Sequence, residues 1–133
     1  MERDEIKETI KNLSVLFVDD EEVVIDIMQD ILPMLFKDSY YATNGLEGIE
    51  KFKEHRPDII ITDLSMPYLD GISMLKIIKD FDKKIKIICL SGHNEKQQID
   101  ECKDLNGAFV IKPISSSILF SALGEILADD RCL

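Results

Sequence analysis

Residues 59–71 of this chain read IIITDLSMPYLDG, an apolar run followed by acids, a proline and a glycine. Three successive isoleucines are typical of a strand that is covered on both faces, because a half-exposed strand would alternate apolar and polar residues. An acid, Asp63, follows the strand directly, and Asp70-Gly71 then opens a segment with helical periodicity. The stretch therefore predicts a buried strand that ends in a carboxylate and leads into a helix.

The same alternation of short apolar runs and helical segments extends along the whole chain. Strands are predicted at 14–18, 40–43, 58–62, 85–90 and 108–111. Parallel strands need crossover connections, and helices usually supply them on both faces of the sheet. The pattern predicts an α/β fold with a five-stranded parallel sheet, whose carboxyl edge is where ligands bind in such folds.

Several residues mark where the helices begin and end. Pro33 should kink or shorten the first predicted helix near its end. Asn44 with Glu47 predicts a capping box for the second helix, and Ser115 is placed to cap the fifth. These signals predict five helices, one after each strand.

The fourth predicted helix, 95–105, has an unusually thin apolar stripe. Only Ile99, Cys102 and Leu105 are apolar among charged residues and glutamines. Little buried area would then hold this helix, so it is either the helix most free to shift or an ordinary edge helix with a solvated face.

Composition excludes several classes of function. The chain has 133 residues, enough for one domain, and its 26 acids against 16 bases give a net charge of −10. Direct nucleic-acid binding would need a basic surface, so it is not expected. We expect no membrane segment, since there is no long apolar run. The three cysteines (Cys89, Cys102, Cys132) lack the spacing of a disulfide framework or zinc site, so we expect a cytoplasmic location.

Polar residues stand at the ends of four predicted strands. Asp19 and Asp20 follow the first strand, Asp63 the third, Ser91 the fourth and Lys112 the fifth. Taken singly, each is explained as a cap, a turn residue or a solvated charge. Taken together, three carboxylates at one sheet edge repel one another unless a cation offsets them, and one lysine leaves a deficit.

A divalent cation would fill that deficit. Carboxylate ligands suit a hard ion, with Mg²⁺ expected and Mn²⁺ a possible substitute. Mg²⁺ beside a carboxylate and a lysine is also the apparatus of phosphoryl transfer, in which a carboxylate attacks phosphorus to form an aspartyl phosphate. The pattern thus favours phosphoryl-transfer chemistry at this edge of the sheet.

These residues resemble the receiver domain of two-component response regulators, the CheY-like family. The resemblance rests on Asp19-Asp20, Asp63, Ser91 and Lys112-Pro113, together with Met66-Pro67 and Asp70-Gly71, and it covers about residues 13 to 128. It implies a flavodoxin-like sheet in the order 2-1-3-4-5. It also implies a bacterial signalling switch that is not an enzyme beyond its own phosphorylation and dephosphorylation.

The resemblance implies a role for each residue of the metal and phosphoryl site. Asp63 would accept the phosphoryl group from the phosphohistidine of a cognate histidine kinase. Asp19, Asp20, Asp63 and the backbone carbonyl of Ser65 would hold Mg²⁺, and Lys112 would contact the phosphoryl group.

The resemblance also implies a conformational switch. Ser91 would turn to hydrogen-bond the phosphoryl group, and Phe109 would be the switch aromatic that turns inward as the Ser91 loop moves. The Lys112-Pro113 peptide would be cis. The surface formed by the fourth predicted helix, the fifth strand and the fifth predicted helix would then contact a downstream effector protein or a fused output domain.

The predicted domain limits are an N-terminal extension at 1–12, the receiver domain at 13–129 and a C-terminal tail at 130–133. In the extension, Ile6, Ile10 and Leu13 have helical spacing. This segment could be an extra helix, the tail of an upstream linker or a flexible terminus. Both a stand-alone receiver and a piece of a longer regulator or hybrid kinase remain open.

Three other functions fit the residues less well. A haloacid-dehalogenase-type phosphatase would need a second acid two residues after Asp63, where this chain has Ser65, and room for a cap. A nucleotide- or flavin-binding module would need a glycine-rich loop after the first strand, where VDDEEVV stands instead. A receiver that binds partners without phosphorylation would have no need for the complete set of site residues.

Overall fold

The computed structural model describes residues 1–131, with side chains described to residue 128, and contains the predicted α/β sheet. Its five strands are all parallel and lie in the order β2-β1-β3-β4-β5. They are β1 (Ser14–Val18), β2 (Asp38–Ala42), β3 (Ile59–Asp63), β4 (Lys86–Ser91) and β5 (Ala108–Ile111). The predicted fold class and strand order are confirmed.

Within residues 1–131 there are six α-helices, one more than the sequence predicts. They are α1 (Arg3–Ile10), α2 (Glu22–Ile31), α3 (Gly45–His55), α4 (Gly71–Phe81), α5 (Lys96–Asp104) and α6 (Ser116–Arg131). The additional helix is α1, so the fourth and fifth predicted helices correspond to α5 and α6. None of the helices in this described part of the chain is both long and apolar enough to cross a membrane.

Two strands extend one residue further than predicted, and both extra residues belong to the predicted site. Asp63 is the last residue of β3, opposite Leu90, and Ser91 is the last residue of β4, opposite Ile111. The backbone hydrogen bonds continue past them, since Leu64 N donates to Leu90 O at 3.0 Å. The sheet ladder therefore fixes the backbone of these two residues.

Strand β2 also differs from its prediction. It starts at Asp38, pairs with β1 from Ser14 onward, and ends one residue before the predicted Thr43. Asp38 and Ser39 are polar and lie at the sheet edge, where a strand is partly exposed, so they carry no hydrophobic signal.

The core consists of two apolar layers, one on each face of the sheet. Ile59 and Ile61 of β3 belong to the layer under α1, α2 and α6, whereas Ile60 belongs to the layer under α3, α4 and α5. All three side chains are at most 1% exposed. Burying side chains of this size stabilises the fold by about 1.5–3 kcal/mol each. The isoleucine run is thus explained by coverage on both faces.

The helix boundaries follow the predicted capping signals. Helix α2 ends at Ile31, and Pro33 lies in the 3₁₀ turn Leu32–Met34 that follows. The Asn44 side chain accepts a hydrogen bond from Glu47 N at 2.9 Å. The Glu47 carboxylate in turn accepts a hydrogen bond from Thr43 N and not from the Asn44 backbone N. The reciprocal contact therefore lies one residue earlier than in the standard capping box.

The N-terminal extension forms α1, which packs against α6. Ile6 is 3% exposed and Ile10 is fully buried, and both belong to the core layer that contains α6. At the start of the helix, Arg3 Nη2 donates to Ser116 Oγ at 3.0 Å. At the other end of the chain, α6 extends to Arg131 into the predicted tail, whose residues 132–133 lie outside the described residues.

Candidate functional site

Carboxylates from two neighbouring strands meet at the carboxyl edge of the sheet. Asp19 follows β1, where its backbone N donates to Ala42 O at 3.1 Å, and Asp63 ends the adjacent β3. One carboxylate oxygen from each of Asp19, Asp20 and Asp63 lies within 4.8 Å of the others. Asp19 is fully buried, Asp63 is 6% exposed and Asp20 is exposed. The sheet thus brings the three predicted acids together.

Lys112, which follows β5, reaches this cluster with its ammonium group. Its Nζ lies 2.9 Å from Asp19 Oδ2 and 3.2 Å from Asp63 Oδ2. It also lies 3.4 Å from Oε1 of Glu21, an exposed acid that sequence reasoning did not single out. The backbone N of Lys112 donates to Ser91 O at 2.8 Å, and the Lys112-Pro113 peptide is cis as the resemblance implied.

Burial and the neighbouring charges both shift the pKa values of the site. Burial raises the pKa of Asp63, the Lys112 charge offsets part of this, and the neighbouring Asp19 charge raises the pKa further. Burial lowers the pKa of Lys112, but its close ion pair with Asp19 and the charge of Asp63 outweigh burial and raise this pKa. Lys112 is therefore firmly protonated, while ionising Asp63 costs free energy in the absence of a further cation.

The cluster has the donors that a hard cation needs. Oδ2 of Asp19 is buried and accepts no hydrogen bond of acceptable geometry, although it is ion-paired with Lys112. Carboxylate oxygens are the preferred ligands of Mg²⁺, and the exposure of Asp20 leaves one side of the cluster open to water. The residues present thus fit Mg²⁺, with the acids outnumbering the single lysine.

The loop after β3 and the start of α4 lie in close contact with Asp63. Ser65 N donates to Asp63 Oδ1 at 3.3 Å, which fixes one carboxylate oxygen. The start of α4 approaches so closely that a Cβ on Gly71 would fall 2.4 Å from the Asp63 carbonyl oxygen. Sequence reasoning placed Gly71 at a helix start, but its role in letting α4 contact β3 was missed.

The Ser91 hydroxyl is engaged by its own loop and by α5. Ser91 is 3% exposed, and its Oγ lies 2.9 Å from His93 O and 2.8 Å from Oε1 of Gln98. Gln98 had no role in the sequence interpretation, since only its contact across the loop distinguishes it. Phe109 is half-buried, pairs with Cys89 in the β4–β5 register and packs against the core layer under α5.

Comparison with known proteins gives one consistent result. The response regulator receiver domain family matches residues 15–124. The chemotaxis protein CheY of Halobacterium salinarum is 33% identical over 114 residues, which cover 85% of this chain and 95% of that protein. The sporulation initiation phosphotransferase F of Bacillus subtilis is 30% identical over 94 residues, which cover 71% of this chain and 76% of that protein.

Solved structures agree with these sequence relatives. A CheX-CheY-BeF3-Mg+2 complex from Borrelia burgdorferi matches with a TM-score of 0.77 and 27% identity, over 86% of this chain and 89% of that chain. A receiver domain protein from Methanospirillum hungatei matches in fold with a TM-score of 0.82. With the acidic cluster at the carboxyl edge of a 2-1-3-4-5 sheet, these matches show that the chain belongs to the response regulator receiver domain family of two-component signal transduction.

Proposed function

We propose that Asp63 is the phosphoacceptor of this receiver domain and takes its phosphoryl group from the phosphohistidine of a cognate histidine kinase. An oxygen of the Asp63 carboxylate attacks phosphorus and forms an O–P bond as the P–N bond breaks. The electron pair of that bond stays on the imidazole nitrogen of the kinase. The observation that carries the proposal is the meeting of Asp63, Asp19 and Lys112 at one buried point of the sheet edge.

The neighbouring residues would perform the electrostatic part of the reaction. The Lys112 ammonium, 3.2 Å from Asp63 Oδ2, is placed to contact a phosphoryl oxygen and offset its charge. Asp19, Asp20, Asp63 and the Ser65 carbonyl would hold Mg²⁺ or Mn²⁺, which supplies positive charge to the transferring group when bound. The Ser65 N–H bond to Asp63 Oδ1 would orient the other carboxylate oxygen for attack.

The phosphorylated domain would act as a switch through protein contacts. Ser91 would turn to the phosphoryl group, Phe109 would follow inward, and the α5-β5-α6 surface would change for a downstream effector protein or fused output domain. The CheY of Borrelia burgdorferi, solved in complex with CheX, is a precedent for a related protein that binds another protein. The proposal places the domain in a bacterial cytoplasm, where Cys89 and Cys102 would stay reduced.

The test is incubation with Mg²⁺ and acetyl phosphate, followed by intact mass. The wild type should gain one phosphoryl group, and Asp63→Ala should gain none. Asp80→Ala, which removes an exposed carboxylate from α4, is the matched control and should behave as the wild type. An unmodified wild type, or undiminished phosphate on Asp63→Ala, would contradict the assignment.

A further inference from the structure

The Ser91 hydroxyl and the Gln98 side chain join the end of β4 to α5. Ser91 Oγ lies 2.8 Å from Gln98 Oε1, and His93 N donates to the same hydroxyl at 3.1 Å. An amide side chain can accept from or donate to a hydroxyl, so this pair stays bonded in either orientation of the amide. Gln98 is half-buried, which shields the bond partly from water.

The first half of α5 has few other attachments among the described residues. Cys102, in its second half, is the one buried side chain of the helix, and the N-cap residue Glu95 makes no side-chain capping bond. Lys76 of α4 is ion-paired with Glu101 at 3.6 Å, but Lys76 is largely exposed and such pairs contribute little. The Gln98 bond is therefore a main attachment of the start of α5.

The space beside this attachment is polar and open. A groove of about 520 Å³ separates the start of α5 from α4 and the loop after β3. Its lining includes Ser65, Met66, Asp70, Lys76, Glu95 and Gln98. Apolar packing does not fill this region, so a shift of the first half of α5 would cost little buried area.

We propose that Gln98 is a positioning residue that holds Ser91 away from its phosphoryl-binding arrangement and couples the movement of Ser91 to α5. This inference rests on the proposed phosphorylation of Asp63. When Ser91 turns to the phosphoryl group, the hydrogen bond between its hydroxyl and the Gln98 side chain breaks. The first half of α5 loses an attachment at the same moment. One named hydrogen bond then links the site to the α5-β5-α6 surface.

The free energy of the Ser91–Gln98 hydrogen bond sets the size of the change expected when Gln98 is replaced. A net protein hydrogen bond corresponds to about a two- to tenfold change in an equilibrium constant. Gln98→Leu keeps most of the side-chain volume but cannot bond to the hydroxyl. Without phosphodonor, amides in the first half of α5 should exchange with solvent about two- to tenfold faster in this variant than in the wild type. The initial rate of Asp63 phosphorylation by acetyl phosphate should rise by a similar factor, because Ser91 is already released.

Two further variants separate coupling from a loss of helix stability. Gln97→Leu makes the same substitution at an exposed neighbour on the same helix and should leave both measurements at the wild-type values. Ser91→Ala removes the hydroxyl partner, so adding Gln98→Leu to it should change α5 exchange no further.

Hydrogen exchange by mass spectrometry and intact-mass time courses on the full chain decide the matter. The inference is overturned if Gln98→Leu leaves α5 exchange unchanged, if it accelerates exchange equally in the Ser91→Ala background, or if the phosphorylation rate does not rise. If the wild type takes no phosphoryl group at all, the proposed function fails. The exchange data on the unphosphorylated variants still decide whether Gln98 and Ser91 are coupled.

Discussion

Lys112 Nζ lies 2.9 Å from Oδ2 of Asp19, whose side chain is fully buried. The lysine follows β5 and the acid follows β1, so the ammonium group reaches across the ends of the two strands between them, β3 and β4. A buried carboxylate is costly without a partner. The residue that would contact the phosphoryl group therefore also stabilises the fold when no phosphoryl group is present.

Replacing Lys112 by methionine should destabilise the protein, because Asp19 and Asp63 would face each other without the ammonium charge. Removing one partner of a fully buried pair costs about 3–5 kcal/mol, and the partial exposure of Lys112 reduces this to roughly 2–3 kcal/mol. Urea unfolding without metal measures the loss. Mg²⁺ should stabilise Lys112→Met more than the wild type, since the ion would supply the missing charge.

The matched control for this experiment is Lys83→Met. Lys83 is ion-paired with Asp80, and both side chains are largely exposed. Such a pair contributes about 0–1 kcal/mol, so the control should unfold close to the wild type. Equal stability of Lys112→Met and the wild type would mean that Asp19 does not depend on the lysine.

Asp63→Asn should stabilise the metal-free protein at neutral pH. Burial raises the pKa of Asp63 above its ordinary value of 3.8. The folded protein therefore binds this proton more tightly than the unfolded chain does. The stabilisation due to the protonated carboxyl is fully present below pH 3.8 and is lost as the pH rises through the pKa of Asp63 in the folded state. Asparagine does not ionise and should avoid that loss of stability.

The free energy of unfolding as a function of pH checks this prediction. The stability advantage of Asp63→Asn should be present at pH 7 and should shrink as the pH is lowered, until it vanishes below 3.8, where Asp63 is protonated in both the folded and the unfolded state. Stabilisation by Mg²⁺ should be weaker in the variant. A variant that is less stable than the wild type at pH 7 without metal would show that the Lys112 charge outweighs burial at this carboxyl.

Gly71→Ala should destabilise the fold and disturb the site. The added Cβ would fall 2.4 Å from the Asp63 carbonyl oxygen and 2.8 Å from the Leu64 Cα, both backbone atoms that cannot move aside easily. Overpacking of this kind costs about 1–3 kcal/mol. The start of α4 must then move away from β3, so phosphorylation by acetyl phosphate should also slow.

Gly92→Ala is the control for this steric prediction. A Cβ at Gly92 has nothing within 4 Å, and Gly92 does not adopt a positive φ. Its free energy of unfolding should stay within about 0.5 kcal/mol of the wild type, as for exposed positions in general. Similar losses for both glycine variants would argue against the close contact between α4 and β3.

The sequence predicted the candidate site residues whose proximity depends on sheet topology alone. Asp19, Asp63 and Lys112 each follow an apolar run, and parallel strands bring such residues to one edge whatever the loops do. Glu21 and Gln98 were missed, since their contacts depend on how a loop and a helix start are oriented over that edge. Strand and helix periodicity carries no information about that orientation.

The extension at 1–12 shows the same limit. Its helical spacing was visible in the sequence, but an eight-residue helix is marginally stable by itself, so only tertiary packing decides whether it forms. That packing is supplied by α6, where the Arg3 guanidinium carbon lies 4.5 Å from the Phe120 ring centre and a Cβ added to Gly124 would fall 3.4 Å from Ile6 Cδ1. None of these contacts has a signal in the local sequence.

Ile6→Ala should therefore destabilise the whole domain and not merely loosen its terminus. Ile6 is 3% exposed within the core layer that contains α6, and truncating such a side chain costs about 2–5 kcal/mol. Glu8→Ala, on the exposed face of the same helix, removes only a surface ion pair with Lys11 and should cost less than about 1 kcal/mol. Urea unfolding of both variants compares the two faces directly. If the free energy of unfolding of Ile6→Ala matched that of the wild type, α1 would be a dispensable extension and the folded unit would begin near residue 13. The expected loss of stability would instead show that α1 is part of the domain.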